Sequence, residues 1–208
     1  MCGRYDLSEN PAAIRAHFGV PFVPEFAPSH DVRPTELAPI IRINPLSTKR
    51  EGTLARWGLV PSWAKDLKFG ARCINARVET LASLPAYRAA FRNRRCLVPV
   101  NAFFEWSGPA GQRTRWRVWL QDQSLFALAG LWERWIDPSS DKAVETYTIV
   151  TTAANETIAP LHDRMPVIVA PDRYGDWLDA SCTRMDLFVP AATAGLRVEQ
   201  MAKQIRRP

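Results

Sequence analysis

Cys2 directly follows the first methionine, in Met1-Cys2-Gly3-Arg4-Tyr5-Asp6. Methionine before a small residue is commonly removed, and its loss would leave an α-amine and a thiol on adjacent carbons. Such a 1,2-aminothiol suits aldehydes. An α-amine with an ordinary pKa of about 7.7–8.0 is partly neutral at pH 7 and forms a Schiff base, after which sulfur closes a five-membered thiazolidine ring. A small buried hydrophobe near the terminus is the competing reading of the same cysteine. Asn75, in Arg72-Cys73-Ile74-Asn75-Ala76-Arg77-Val78-Glu79-Thr80, alternates with Cys73 and Arg77. On a strand all three share one face, so an amide and a guanidinium would point together at one ligand, although an edge strand with a solvated face has the same pattern. Glu105 lies among aromatics at the end of the apolar run Arg95 to Trp106. A carboxyl in such surroundings has a raised pKa and serves as general acid or base, unless it is a surface group at a strand end. His162, beside Asp163 and Arg164 in Pro160-Leu161-His162-Asp163-Arg164-Met165-Pro166, is the credible proton carrier near pH 7, though a His-Asp neighbour pair is also a common surface feature.

These side chains need elements to hold them. A helix is expected from Asn10 to Phe18, with Asn10 as N-cap, Pro11 at the first helical position and Gly19 as the stop. A proline-broken loop follows from Pro21 to Pro34. Strand-like runs cover Leu37 to Ile43, Leu54 to Val60, Cys73 to Val78, Cys96 to Val100 and Phe103 to Trp106. Further strands are expected at Arg115 to Gln121, Phe126 to Trp132, Tyr147 to Thr152 and Pro166 to Ala170, and helices at Leu84 to Arg92 and Asp172 to Leu178. The helices are too few to cover a parallel sheet on both faces. The expectation is therefore an α+β fold, a β-rich single domain over residues 1–208 with antiparallel, barrel-like curled sheets and a few short flanking helices.

Composition bounds the function. With 208 residues, 47% hydrophobic and 23% charged, the chain is an ordinary globular protein rather than a disordered, collagenous or coiled-coil one. Its longest uncharged apolar stretches are strand-sized, and no secretory signal opens it, so a soluble cytoplasmic protein without membrane association is expected. Four cysteines without a CxxC pair and three histidines supply no zinc-ligand spacing, which leaves metal and cofactor sites unexpected. Cys73, Cys96 and Cys182 are expected to pack without chemistry. The net charge of +6 comes from 22 arginines and 5 lysines against 21 acids. Guanidinium binds phosphate bidentately and stacks on bases, so this balance, with eight tryptophans, is compatible with single-stranded nucleic acid. Genome composition also enriches arginine, and most tryptophans belong to cores.

Six motifs give these clusters a common source: MCGRY at the start, WGLVPSW at Trp57–Trp63, NARVET at Asn75–Thr80, RCLVPVNAFFEW at Arg95–Trp106, AGLWERW at Ala129–Trp135 and HDRMPVIV at His162–Val169. In this order, across about four-fifths of the chain, they resemble the SRAP family (SOS response-associated peptidase domain), whose members link covalently to abasic sites in single-stranded DNA. The resemblance implies a basic groove leading to a pocket with Cys2 as nucleophile and Asn75, Glu105 and His162 completing it. It implies DNA contacts at Arg4, Trp63, Arg77 and Arg164, with Pro34 in a loop near the groove. The chain departs from the family at Asp31, often asparagine there, at Ala64, a second tryptophan in some bacterial relatives, and in its short C-terminus after Val198.

The same resemblance implies an enzyme of the suicide type, with lyase- or peptidase-like chemistry and possible autoproteolytic removal of Met1. Its partner would be single-stranded DNA carrying abasic sites, bound by a monomer that is nucleoid-associated in a bacterium. Two other classes share features with it: an N-terminal-nucleophile amidotransferase or peptidase using the Cys2 thiol, and a non-covalent single-strand binder in which Cys2 merely packs.

Overall fold

The computed structural model describes residues 2–182, 188 and 195–202. Met1 and the end of the C-terminal segment, residues 203–208, lie outside them.

Two sheets make up the fold. The first has the order β13 (Leu196–Gln200), β8 (Thr114–Leu120), β7 (Ala102–Ser107), β1 (Arg4–Leu7) and β2 (Ser29–Val32). The second is built on β3 (Leu37–Ile43), β4 (Arg50–Trp57), β6 (Arg95–Val100), β9 (Phe126–Ile136) and β10 (Ala143–Ala153). Its ladders run β10–β4, β4–β3, β3–β6, β6–β9 and β9–β10, so the five strands close on themselves. Closure leaves these strands without open edges. The short strands β5 (Asn75–Arg77), β11 (Arg164–Pro166) and β12 (Ile168–Val169) attach to β10 and β9. Among the described residues two pairings, β10 with β4 and β10 with β5, are parallel and the other ladders antiparallel.

Proline placement follows this register. Pro39 and Pro99 lie within β3 and β6, yet both fall outside the two-residue ladder Ile41–Leu97 and Arg42–Cys96 that joins those strands. A residue without N–H is tolerated where one side of the strand has no ladder to complete. The chain passes from the barrel to the other sheet at Asn101, between β6 and β7. Its backbone N–H donates to the Asp6 carbonyl at 2.8 Å, and its side-chain oxygen accepts from Ser8 N–H at 3.0 Å. That amide locks β1 and β7 together, which fixes the first residues against Glu105.

Helix α1 (Pro11–Phe18) begins as its capping residues dictate: the Asn10 side chain accepts from Ala13 N–H, and Gly19 ends the helix at φ 60°. It buries Pro11, Ile14 and Phe18. The other helices are shorter than expected. Leu84 to Arg92 gives only α2 (Arg88–Asn93), and Asp172 to Leu178 divides into a 3-10 turn over Pro171–Arg173 and α3 (Tyr174–Leu178). The expected loop from Pro21 to Pro34 contains β2, which exists because β1 supplies its partner. The run Leu54 to Val60 is β4 displaced to Arg50–Trp57, because Gly58 takes φ +117° and leaves the strand there. The expected strand Cys73 to Val78 shrinks to β5, with Cys73 at the end of a 3-10 turn over Leu67–Arg72 and Val78–Thr80 in another. Pro166 to Ala170 is two strands, β11 and β12, rather than one.

Gly58 and Gly70 bring β5 to its place. Their backbones lie so close that a Cβ on Gly58 would stand 2.6 Å from the Gly70 carbonyl oxygen, and one on Gly70 would fall closer still to that of Gly58. Gly58 N–H donates to the Tyr147 carbonyl at 2.8 Å. β4 thereby leaves the β10 edge after Tyr147, and β5 takes over that edge from Ile149 to Thr151.

Candidate active site

Cys2 is fully buried, just ahead of β1, with its thiol 3.8 Å from the Arg4 carbonyl oxygen. The register that sets Arg4 opposite Phe104 brings the next β7 residue, Glu105, alongside this end of the chain. Glu105 is 1% exposed. Burial pushes the Cys2 thiol far above the ordinary thiol range, and the Glu105 charge adds to the effect. The shift favours the thiol over the thiolate. Burial likewise raises Glu105 above the usual carboxylate value, and the Asp163 carboxylate pushes the same way.

Asn75 reaches this end of the chain from β5, donating through Nδ2 to the Cys2 carbonyl at 2.8 Å. Its Oδ1 is buried and has no hydrogen-bond partner among the described residues. An amide anchored on one side and unsatisfied on the other can receive one more donor, such as an amine or a sugar hydroxyl. The Asn75 carbonyl accepts from Tyr87 Oη at 3.2 Å, which holds the strand from behind. Asn75 and Arg77 share a face of β5 as the alternation requires, with Ala76 buried on the other. Cys73 does not join them.

His162 stands on the turn before β11. Its Nδ1 accepts the backbone N–H of Arg164 at 3.0 Å and lies 2.7 Å from Asp163 Oδ1. The first contact suits the neutral ring and the second the protonated one, so the imidazole has a partner in either state. Burial lowers the His162 pKa, with Arg113 and Arg164 adding to it and Asp163 opposing it. β10 carries both β5 and β11, with Thr151 opposite Arg77 on one and Pro166 on the other, so the His162 turn and Asn75 stand at the same end of β10. Cys2, Asn75, Glu105 and the His162 turn are therefore brought together from four separate stretches of chain.

Of the residues expected to hold DNA, Arg4, Arg77 and Arg164 each lie two positions beyond a site residue, Cys2, Asn75 and His162. Arg4 is bonded to Asp31 at 2.6 Å. Arg77 is exposed on β5. Arg164 grips Glu79 with both terminal nitrogens, at 2.5 and 2.9 Å, and also donates to the Thr151 carbonyl at 2.7 Å. Trp63 is 56% exposed and meets Phe69 edge-on, at 5.1 Å between ring centres. Pro34 is half-buried beside Thr35, whose φ of 77° is in the left-handed region and whose N–H donates to the Trp57 carbonyl at 2.8 Å. Sequence reasoning missed the buried pair under the site, Tyr5 Oη and Tyr147 Oη at 2.7 Å with Trp57 packed on both rings. It also missed the role of Asp31. The tyrosine pair is 142 residues apart in the chain, and Asp31 gathers Arg4 and Arg115 from 27 and 84 residues away besides its near neighbour Arg33, so no local pattern announces either arrangement.

The other cysteines are free thiols, and Cys73 and Cys96 are buried. Among the described residues no group of three His, Cys, Asp or Glu side chains is placed to hold a metal. Among them, too, no helix is long and apolar enough to cross a membrane.

Comparison with known proteins gives the family and the fold. The family described as SOS response associated peptidase (SRAP) matches residues 1–208. The chain is 37% identical over 216 residues to the abasic site processing protein YoqW of Bacillus subtilis, covering 100% of this chain and 95% of that protein. It is 27% identical over 183 residues to the abasic site processing protein HMCES of Xenopus tropicalis, covering 74% and 55% of the two chains. A crystal structure of a Bacteroides thetaiotaomicron protein superposes with a TM-score of 0.88 over 97% of this chain and 93% of that one, at 23% identity.

Proposed function

The chain belongs to the SOS response associated peptidase (SRAP) family, and on that premise we propose that it captures abasic sites in single-stranded DNA as a covalent thiazolidine on Cys2, with Met1 removed. The observation that carries this reading is the convergence of Cys2, Glu105 and Asn75 in one buried place, beside a turn bearing a histidine with a lowered pKa.

An abasic sugar is mostly a closed hemiacetal. His162, neutral at pH 7, takes the hydroxyl proton and returns one to the ring oxygen, which frees the aldehyde. The Cys2 amine adds to the aldehyde carbon to give a carbinolamine. Glu105, whose hold on its proton is strengthened by burial, donates to the departing hydroxyl and water leaves. The thiol then adds to the imine carbon. Its proton passes to the Glu105 carboxylate, which the preceding step has left ready to accept it. One C–N and one C–S bond form, one water is lost, and no oxidant or reductant is needed. Asn75, held by the Cys2 carbonyl, orients the amine or sugar with its unsatisfied oxygen. A thiazolidine leaves no persistent Schiff base, so the strand is protected from β-elimination.

The test is the intact mass of the denatured protein after mixing with an oligonucleotide bearing one abasic site. The expected gain is the oligonucleotide minus one water, and Cys2→Ala should lose it entirely. No covalent gain from a protein with verified Met1 removal would overturn the reading, and release of ammonia from glutamine would then favour an amidotransferase.

A further inference from the structure

Three guanidiniums converge on one carboxylate at the rim of the five-stranded sheet. Arg4 reaches Asp31 Oδ2 at 2.6 Å, and Arg33 reaches the same oxygen through Nε at 3.1 Å and a terminal nitrogen at 3.0 Å. Arg115, from β8, donates to Asp31 Oδ1 at 2.8 Å. Among the described residues these three arginines have no other acidic partner, so three cations and one anion leave the cluster at +2. The positions are well defined. Arg115 sits over Phe104, its guanidinium carbon 3.7 Å from the ring centre, and the ring of Trp106 on the same strand is 5.6 Å away.

The cluster is also open to solvent. The side chains of Arg4, Arg33 and Arg115 are 33%, 58% and 21% exposed, and Asp31 is 27% exposed. It borders a cleft of about 440 Å³ lined by Asp6, Ser8, His30, Phe104 and Arg117 as well as Asp31 and Arg115. Arg4 is two residues from Cys2, which sets the cluster at the Cys2 end of β1.

A carboxylate offers two oxygens in a plane with one negative charge, and the two non-bridging oxygens of a phosphodiester offer the same charge at similar spacing. Donors arranged for one are arranged for the other. We propose that Arg4, Arg33 and Arg115 form a binding site for one phosphodiester of single-stranded DNA, next to the reacting nucleotide, and that the Asp31 carboxylate occupies this site in the free protein. Asp31 keeps the three arginines apart and oriented, and the incoming phosphate takes over their donors. The cost of displacing Asp31 sets how weakly the protein holds strands that offer nothing to Cys2. This inference rests on the single-strand reading of the Cys2 site.

The test is equilibrium binding of an intact, unmodified single-stranded oligonucleotide by fluorescence anisotropy, from about 50 to about 200 mM salt. Asp31→Asn should tighten binding roughly 5-fold at the low end, the effect of removing a unit charge about 4 Å away in water. Arg33→Gln, at the most exposed of the three arginines, should weaken binding and flatten the logarithmic salt slope by about 0.7, the value for one single-strand phosphate contact. Unchanged or weaker binding by folded Asp31→Asn, or an unchanged slope in Arg33→Gln, would overturn the proposal. The Cys2 adduct is scored separately on the same preparations. An adduct without an Asp31 effect sinks the phosphate site alone, and an Asp31 effect without an adduct sinks the thiazolidine reading alone.

Discussion

The Cys2 pocket and the arginine rim stand two residues apart along the chain at β1 and are governed by opposite physics. In the pocket, burial sets the chemistry: the thiol, Glu105 and His162 are all shifted toward their neutral forms, and desolvation is the leading cause for each. Toward solvent, charges are paired, with Asp31 holding three arginines on the rim and Glu79 holding Arg164 between β5 and β11. A reaction at an aldehyde needs a neutral amine, an acid that has kept its proton and a base that has not gained one, all of which a low-dielectric site supplies. Recognition of a polyanion needs fixed positive charge in reach of water. The division predicts that pH acts mainly through the pocket and salt mainly through the rim.

Glu105→Gln should break the pocket side most severely. Covalent capture is expected to slow by about 1000-fold, within the range for removing a general acid, while affinity for intact strands stays within about 2-fold. Stability should move the other way. The folded pKa of Glu105 is raised, so its contribution is fully present below the unfolded value, about 4.3, and is lost as pH rises through the folded value. The melting temperature of Glu105→Gln relative to the native protein should therefore climb between pH 4 and pH 7. A constant offset across that range would show that burial does not hold the proton on Glu105.

His162→Gln should slow capture by about 100-fold, and on the natural hemiacetal only. An oligonucleotide carrying an open-chain aldehyde needs no ring opening, so it should react with His162→Gln nearly as fast as with the native protein. The same substrate should leave Glu105→Gln slow. Equal slowing of both variants on both substrates would remove the distinction between the two roles.

How much of this division is legible in the sequence depends on how local its causes are. The cap residues Asn10, Pro11 and Gly19 act within one turn, and α1 spans the residues they predict. The alternation of Asn75 and Arg77 is also local, and it survives although the strand around it is cut to three residues. Glu105 is legible because its apolar neighbours foretell burial. Boundaries set by distant partners are not. β9 and β10 extend to Ile136 and back to Ala143 because they pair with each other along that length, and β2 forms inside a proline-rich segment because β1 lies beside it. Asp31 carries no sign of its three arginines, which come from positions 4, 33 and 115 and meet only when two sheet strands and a turn are in place.

The smallest expected effect sharpens the rim. Glu79 is 53% exposed, so its bidentate contact with Arg164 is worth only about 0.2–1 kcal/mol in the folded protein. Glu79→Gln should cost stability in that range at pH 7. Arg164 holds the Glu79 carboxyl below the usual range, so this contribution is present above the unfolded pKa and disappears as pH falls through the folded one. Native and variant melting curves should therefore converge in acid. Strand affinity at pH 7 should rise, by about 2-fold, because a guanidinium is released toward solvent while the Thr151 carbonyl still positions it. That is less than the gain from Asp31→Asn, since Asp31 restrains three arginines and Glu79 one. A larger gain from Glu79→Gln would shift the main phosphate contact from the β1–β8 rim to the β5–β11 side of the pocket.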